Sequence, residues 1–172
     1  MSIVADRMNR ISPSQTIVIS TRARALKAEG RNIISLSAGE PDFRTPENIS
    51  RAAAKAIENG QTRYTDVAGT PELRKAVAER FKLDSGLDYT PEEIIVSTGG
   101  KQVIYNAMMS TLNPGDEAMI PAPCCVSYPD LVKLAEGKPV IVPCKREKGF
   151  RITAEPSEAA VTTRPTWFFL NL

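Results

Sequence analysis

Short apolar runs alternate with helical patterns along the chain, and this alternation limits the fold more than any other feature of the sequence. The apolar runs have the length of buried strands, and the segments between them have the 3.6-residue spacing of helices. Strands that alternate with helices indicate βαβ units with a mostly parallel sheet, so the sequence predicts an α/β fold. The predicted strands are 33–36, 94–96, 118–120, 139–142 and 166–170, and the helices between the later strands are 101–112, 128–136 and 153–161.

The tripeptide Thr-Pro-Glu occurs three times, and each copy has the residues of a helix N-terminus. The threonine hydroxyl can cap the first turn, and proline fits the first helical position. The copies at 45–47 and 70–72 predict helices that end near residues 60 and 81, and the copy at 90–92 predicts a single turn. An earlier helix is predicted over 14–29, with Gly30 as its stop. We expect Ala53, Ala56 and Ile57 to face inward, and Leu73, Val77 and Phe81 to share one face.

The segment 94–102 carries the strongest local signal for binding. Its apolar run stops at Ser97 and Thr98, and two glycines precede a helical pattern, which predicts a strand, a tight turn and a helix N-terminus. The first amide N–H groups of a helix have no partner within it, and the helix dipole is positive there, so such a turn can hold a phosphate. Lys101 adds a full charge. The residues alone also fit a plain connection between a strand and a helix, so both interpretations stay open.

Length and charge exclude several classes of function. The 172 residues suffice for one sizeable core. The net charge is only +2, with 22 basic and 20 acidic residues, so no broad basic surface for nucleic acid is expected. No apolar stretch has the roughly 20 residues of a membrane span, and the N-terminus lacks the apolar core of a signal peptide. The sequence therefore indicates a cytoplasmic protein with neither nucleic acid nor membrane as a partner.

The absence of histidine restricts the available chemistry. It excludes the Ser-His and Cys-His hydrolase arrangements and the zinc sites built on imidazole. The three cysteines, Cys124, Cys125 and Cys144, are an odd number, which favours free thiols over a disulfide framework. We expect no metal site. Any reaction would then depend on carboxylates, lysines, tyrosines or a cofactor.

Six motifs occur in a fixed order along the chain. They are Ser-Ala-Gly-Glu-Pro-Asp-Phe at 37–43, Arg-Tyr-Thr at 63–65, Gly-Thr-Pro-Glu-Leu-Arg at 69–74, Ser-Thr-Gly-Gly-Lys-Gln at 97–102, Asn-Pro-Gly-Asp-Glu at 113–117, and Pro-Ala-Pro at 121–123 followed by Val-Ser-Tyr-Pro at 126–129. In this order and spacing they resemble the class I pyridoxal-phosphate aminotransferases, most of all the bacterial aspartate aminotransferase branch. The resemblance covers residues 12–171, but less than half of a usual family member.

The resemblance implies a fold type I transferase. Such proteins have a large domain with a seven-stranded, mostly parallel sheet and helices on both faces, a small domain made from both chain ends, and a homodimer with active sites at the subunit interface. Residues 1–45 would be the N-terminal arm and a segment of the small domain, and residues 46–172 part of the large, cofactor-binding domain. The implied reaction transfers an amino group between an amino acid, aspartate or a similar one, and a 2-oxo acid.

The resemblance also assigns site residues position by position. The backbone of Gly99, Gly100 and Lys101 would hold the phosphate of pyridoxal 5'-phosphate, in agreement with the anion site that the turn predicts. Tyr64 matches the tyrosine that reaches the phosphate held by the partner subunit, and Gly39 matches the glycine against the substrate carboxylate. Without the resemblance, Tyr64 would be interpreted as a packed aromatic at a turn, and Gly39 as part of a plain turn.

Two departures from the family's pattern lie within the matched residues. Cys124 and Cys125 stand where the family has an aromatic pair whose second member is a tryptophan stacked on the cofactor ring. With Cys125 in place of the tryptophan, the cofactor would lose a stacking contact of about 0.5 to 1.5 kcal/mol, in addition to the contribution of buried area. The alternative is a pair of small buried thiols with no role. Ser12 stands where this branch often carries a lysine that recognises acidic substrates, which leaves a preference for dicarboxylates open.

A third departure lies at the end of the sequence. The family continues from the predicted strand at 166–170 into a loop of which this sequence holds only the first asparagine, Asn171. The family's lysine that bonds the cofactor, the aspartate at its pyridine nitrogen and the arginine for the substrate carboxylate all follow. We therefore interpret the sequence as the truncated, N-terminal part of an aminotransferase, with no catalytic residue in this chain and no activity alone.

Two other functions compete with this one. The chain can instead act without catalysis, as a partner that pairs with a full-length aminotransferase subunit, and co-purification with such a subunit would distinguish the two. A nicotinamide dehydrogenase shares the phosphate turn between a strand and a helix, but the sequence has no Gly-x-Gly-x-x-Gly turn after a strand.

Overall fold

The computed structural model describes residues 3–153 and 165–171, which fall into two compact units. The first unit combines residues up to Ser37 with those from Gly99 onward, and the second is Ala38–Thr98. The helix predicted at 153–161 lies outside the described residues, apart from its first position. Among the residues described, no helix has both the length and the apolar character needed to cross a membrane.

A parallel sheet lies at the centre of the first unit. Its three described strands have the order β2-β1-β3, so β1 (Glu117–Ala122) lies between β2 (Lys138–Pro143) and β3 (Pro165–Phe168). Both neighbours are parallel to β1. The strands fall where the apolar runs predicted them, and the parallel pairing confirms the predicted α/β arrangement.

Two of the helices in this unit share an apolar core with the sheet. The unit contains α1 (Gln15–Ala28), α4 (Gly100–Thr111) and α5 (Ser127–Leu134), close to their predicted bounds, and the core involves α4 and α5. Gly30 has a φ of +83° directly after α1, as expected of a stop. A turn at 113–116, held by the Asn113 amide on the Asp116 carboxylate at 2.8 Å, leads from α4 into β1. The core residues are Met108, Leu112, Ala118, Ile120, Val132 and Ala135.

An ion pair joins the first residues of β1 and β2. Glu117 opens β1 opposite Lys138, the first residue of β2, and the Lys138 ammonium lies 2.8 Å from the Glu117 carboxylate. Glu117 is only 7% exposed, so its charge is compensated by this contact in a largely dry position. A second ion pair, from Arg10 to Glu136 at 3.1 Å, connects the N-terminal 3-10 helix Asp6–Arg10 with the end of α5.

The second unit is helical. It contains α2 (Glu47–Glu58), α3 (Pro71–Ser85) and a 3-10 turn at Pro91–Glu93, the single turn that was expected. Thr70 caps α3 as predicted, since its hydroxyl accepts the Leu73 amide at 3.3 Å. The predicted end of α3 near residue 81 is wrong, because the helix continues to Ser85 and is capped by Gly86, which has a φ of +67°. The predicted cap at Thr45 is also wrong, because the Pro46 carbonyl accepts the first bonds of α2.

The side chains expected to face inward on α2 are mostly exposed. Ile57 keeps 66% of its surface accessible, Ala53 is exposed and Ala56 is half-buried. Within the described part of this unit, α2 has no extensive contact with another element, so its apolar face has no neighbour to pack on. On α3, the buried residue is Ala78, although Leu73, Val77 and Phe81 do share a face.

Two predicted strands are absent from the described residues. The run 33–36 is irregular, and Ile34 and Leu36 are exposed. The run 94–96 is also irregular, and its one bond to a neighbouring segment joins the Val96 amide to the Ala68 carbonyl at 2.9 Å. A strand needs a ladder of bonds to a second strand, and neither run has one in its unit.

Candidate functional site

The turn before α4 has the geometry that the sequence predicts for an anion site. Gly99 precedes the helix with a φ of +143°, in the region that favours glycine, and α4 begins at Gly100. The first helical bond runs from the Val103 amide to the Gly99 carbonyl at 3.1 Å, so the amides of Gly100, Lys101 and Gln102 precede it. These are the amides that a helix leaves without an internal acceptor.

The two glycines at this turn have open space around them. A Cβ added at Gly99 or at Gly100 would meet no atom within 4 Å, and Lys101 is exposed at the same turn. Backbone donors, the positive end of a 12-residue helix and an ammonium group therefore belong to one turn. The residues present fit a phosphate group.

Cys125 lies in the short loop between β1 and α5. α4 leads through a short turn into β1, and both elements contribute residues to one core. Cys125 follows β1 after Pro123 and Cys124, is half-buried and accepts the Tyr128 amide on its carbonyl at 3.1 Å.

The neighbouring thiol has a different environment. Cys124 packs against the apolar core, and burial raises the pKa of its thiol, with the negative charge of an ionised Cys125 as a second cause. The effect of both is to keep Cys124 protonated.

Gly39 and Tyr64 belong to the second unit. Tyr64 lies between α2 and α3 with its side chain fully exposed, so it is not the packed aromatic that the residues alone suggested. Gly39 lies in an irregular, exposed segment, and a Cβ added there would meet nothing within 4 Å. Both positions are accessible within this unit.

One feature of the first unit was not expected from the sequence. A cavity of about 360 Å³ lies beside the carboxyl ends of β1 and β2, and its lining includes Cys124, Cys144, Tyr128 and Arg151. Stacked rings of Tyr128 and Phe169, with centroids 5.0 Å apart, form part of its wall. These residues come from α5 and from the segments that follow β1, β2 and β3, which are separate in the sequence. Among the described residues, no group of three His, Cys, Asp or Glu side chains is placed to hold a metal.

Comparison with known proteins gives one consistent result. The family model for aminotransferases of class I and II matches residues 31–171. The chain is 54% identical over 171 residues to an aspartate/prephenate aminotransferase of Cereibacter sphaeroides. The aligned residues make up 99% of this chain and 43% of that protein. It is 51% identical over 167 residues to an aspartate aminotransferase of Rhizobium meliloti, covering 97% and 41%.

Solved structures agree with the sequence relatives. The aspartate aminotransferase from Rhizobium meliloti superposes with a TM-score of 0.92 at 49% identity, over 98% of this chain and 42% of that one. The aspartate aminotransferase from Thermus thermophilus with maleate gives a TM-score of 0.94 at 41% identity, over 98% and 44%. The chain spans less than half the length of the relatives that it matches.

Proposed function

This chain belongs to the class I and II aminotransferase family and has part of the fold type I architecture, and from that premise we propose that it forms part of the cofactor site of an aminotransferase. The proposed reaction transfers an amino group between an amino acid, aspartate or a similar one, and a 2-oxo acid. The observation that carries the proposal is the N-terminus of α4, where Gly99 has a φ of +143° and the amides of Gly100, Lys101 and Gln102 precede the first helical hydrogen bond.

The phosphate of the cofactor is assigned to the turn before α4. The amides of Gly100, Lys101 and Gln102 precede the first helical bond and are available as donors. Charge-assisted bonds from such amides are worth more than neutral ones, and the helix dipole adds to them. Lys101 contributes charge from an exposed position, so we assign it a smaller share than the backbone.

Pyridoxal 5'-phosphate, when bound, supplies the electron sink that transamination requires. The chain's own residues bind and orient it. Cys125 would face the ring with a thiol, which offers less contact area than an aromatic side chain and no π-face. We expect the cofactor to be held mainly through its phosphate and less firmly through its ring.

Tyr64 and Gly39 are assigned to the second subunit's phosphate and to the substrate carboxylate, respectively. The side chain of Tyr64 is fully exposed, so it could contact a second subunit without losing packing within its own unit. This exposure supports the proposed role. Gly39 offers open backbone, which a carboxylate can approach closely. These roles require a homodimer, which we propose for the full-length form.

The remaining assignments follow from the family. Residues 1–45 are proposed as the N-terminal arm and small-domain segment, and residues 46–172 as part of the large domain. The enzyme is proposed to work in the cytoplasm on small amino and oxo acids. The residues that would carry out proton transfer and bond the cofactor are not assigned to any position in this chain, so we expect the 172 residues alone to be inactive.

Phosphate binding provides the direct test. Gly100→Pro removes one amide donor, and proline is compatible with the first position of a helix, so the helix should persist. We expect binding of pyridoxal phosphate, measured by calorimetric titration, to weaken about 10-fold or more, the value of a charge-assisted bond. Gly100→Ala keeps the amide and fits the open space, so it should bind as the parent chain does.

Two lysine variants provide the second control. Lys101→Ala should weaken binding only about 2- to 5-fold, as expected for an exposed charge. Lys75→Ala removes an exposed lysine from α3 and should have no effect. Equal affinity of the Gly100→Pro and Gly100→Ala variants would exclude the turn before α4 as the phosphate site.

Co-expression separates the catalytic part from a non-catalytic partner. Transaminase activity of the 172-residue chain alone would contradict the proposed inactivity. Stable co-purification with a full-length aminotransferase subunit, lost on Tyr64→Ala, would instead support the function of a pairing partner.

A further inference from the structure

The Gly-Thr-Pro-Glu-Leu-Arg motif at 69–74 has no assigned residue in the proposed cofactor site. It leads into and forms the start of α3, within the second unit. Its first and last residues, Gly69 and Arg74, both contact the segment 91–96 of the same unit. That segment comes directly before the turn that leads into α4, so the motif touches the part of the chain that enters the phosphate site.

Arg74 holds the start of the run 94–96. Its guanidinium donates from Nη1 to the Pro91 carbonyl at 3.2 Å, and the same carbonyl accepts the Ile94 amide at 3.2 Å. Pro91 opens the 3-10 turn that leads into the run, so this bond joins α3 to that turn. Ile94 is itself buried. Hydrogen bonding and packing therefore fix the first residue of the run together.

Stability alone does not explain the guanidinium of Arg74. Its Nε is buried and has no hydrogen-bond partner among the residues that the structure describes. A buried donor without an acceptor costs free energy, and an apolar side chain would avoid that cost. The bond from Nη1 to the Pro91 carbonyl is charge-assisted and therefore stronger than one between neutral groups. The position indicates that the role of Arg74 is to hold this carbonyl.

Gly69 lies against the other end of the run. The carbonyl of Ala68, directly before it, accepts the Val96 amide at 2.9 Å. Gly69 has a φ of +100°, and a Cβ there would lie 2.8 Å from the Cβ and Cγ2 of Val96, so the close approach of the two segments requires glycine. The run 94–96 is thus fixed at both ends, although its backbone is irregular.

We propose that Arg74 and Gly69 are positioning residues for the turn before α4. By fixing the run 94–96, they set the path of the backbone into Ser97 and Thr98, where the turn begins. This inference rests on the proposed phosphate site at that turn, although neither residue is assigned to the phosphate. A turn that is ordered before the anion arrives binds it more tightly, because ordering a loop on binding costs conformational entropy. Loss of either contact should therefore weaken phosphate binding while every amide donor remains.

Two measurements on the 172-residue chain test the role of Arg74. In Arg74→Ala, the Val96 amide should exchange with solvent about 3- to 10-fold faster by NMR, and the affinity for pyridoxal phosphate by calorimetric titration should fall by a similar factor. Arg74→Lys keeps a charged donor, so its affinity should lie within about 2-fold of the parent chain.

Phe81→Ala is the matched control for stability. It removes a ring contact with Tyr89 from the same helix, so it should lower the melting temperature and leave the affinity of the folded chain unchanged. Unchanged exchange at Val96 in Arg74→Ala would overturn the proposal. So would an unchanged affinity of that variant while Gly100→Pro binds weakly.

Two glycine variants test the other end of the run. Gly69→Ala places a methyl group against Val96 and should weaken binding of pyridoxal phosphate about 3- to 10-fold. Gly60→Ala puts the same methyl group at a φ of +73° but into open space, so it should bind as the parent chain does. Equal affinities of these two variants would exclude Gly69 as a positioning residue. Equal affinities of the two Gly100 variants would instead show that the phosphate site is wrong, and exchange at Val96 would then decide alone whether the motif fixes the run.

Discussion

The two units of this chain reach stability by different routes. In the first, helices cover a parallel sheet, and Ile120, Val132 and Val142 are fully buried. In the second, the described buried apolar residues are Ala78 and Ile94, and large side chains such as Val67 are exposed. A sheet provides a broad apolar face on which helices can pack, whereas a lone amphipathic helix must find its partner elsewhere. Burial should therefore dominate the stability of the first unit, and local bonds and turns that of the second.

The largest expected effect contrasts two isoleucines. Ile120→Ala removes a fully buried side chain from the central strand and should lower the free energy of unfolding by about 2 to 5 kcal/mol. Ile57→Ala makes the same change on the exposed face of α2 and should change it by less than about 0.5 kcal/mol. Urea denaturation of both variants measures the difference. Similar losses would mean that α2 is covered in solution and that the contrast between the units is wrong.

An intermediate effect is expected where the second unit is tightly packed. Gly69 has a φ of +100°, and an added Cβ would lie 2.8 Å from Val96 Cβ and Cγ2, so Gly69→Ala should cost about 2 to 3 kcal/mol. Gly60 also has a positive φ, +73°, but open space around it, so Gly60→Ala should cost only about 1 kcal/mol. Melting temperatures of the two variants provide the comparison. Equal costs would show that backbone strain alone matters and that the contact with Val96 relaxes.

The smallest effect separates two copies of one sequence motif. Thr70→Ala removes a hydroxyl that accepts the Leu73 amide, so it should lower stability by about 1 kcal/mol. Thr45→Ala changes the first copy, where α2 has no side-chain cap, and should have no measurable effect. Thermal denaturation followed by helical circular dichroism can resolve this difference. A loss at Thr45 would indicate that α2 begins one residue earlier in solution.

Local signals in the sequence predicted most of the fold. Gly30 marked the end of α1, the Thr70 copy marked the start of α3, and the apolar runs marked β1 and β2. The errors occurred where a local pattern needed a distant partner. The run 94–96 has the apolar character of a strand but one bond to a neighbouring segment, and Ile57 has the spacing of a core residue without a neighbour.

In the candidate site too, the sequence predicted the local features but not those that depend on packing between distant segments. The glycines before α4 indicated a turn with free amides, because that property depends on adjacent residues alone. The relation of Cys125 to that turn depends on how α4 and β1 contribute to one core, and the hydrogen bond from the Cys144 amide to the Ala122 carbonyl depends on strand pairing. Neither can be derived from spacing along the chain. The resemblance to a family supplied roles for Gly39 and Tyr64, which their local sequence would not have suggested.

The ion pair between Glu117 and Lys138 fixes how β1 and β2 can align. Alternate residues of a strand point to opposite faces, so a shift of one position would turn the buried side chains of β1 outward. It would also move the Glu117 carboxylate away from the ammonium 2.8 Å from it, in a position only 7% exposed. An unpaired charge there is costly, so a misaligned sheet would carry an electrostatic penalty in addition to the lost burial. The ion pair therefore favours one alignment of β1 and β2 more strongly than the burial of apolar side chains would alone.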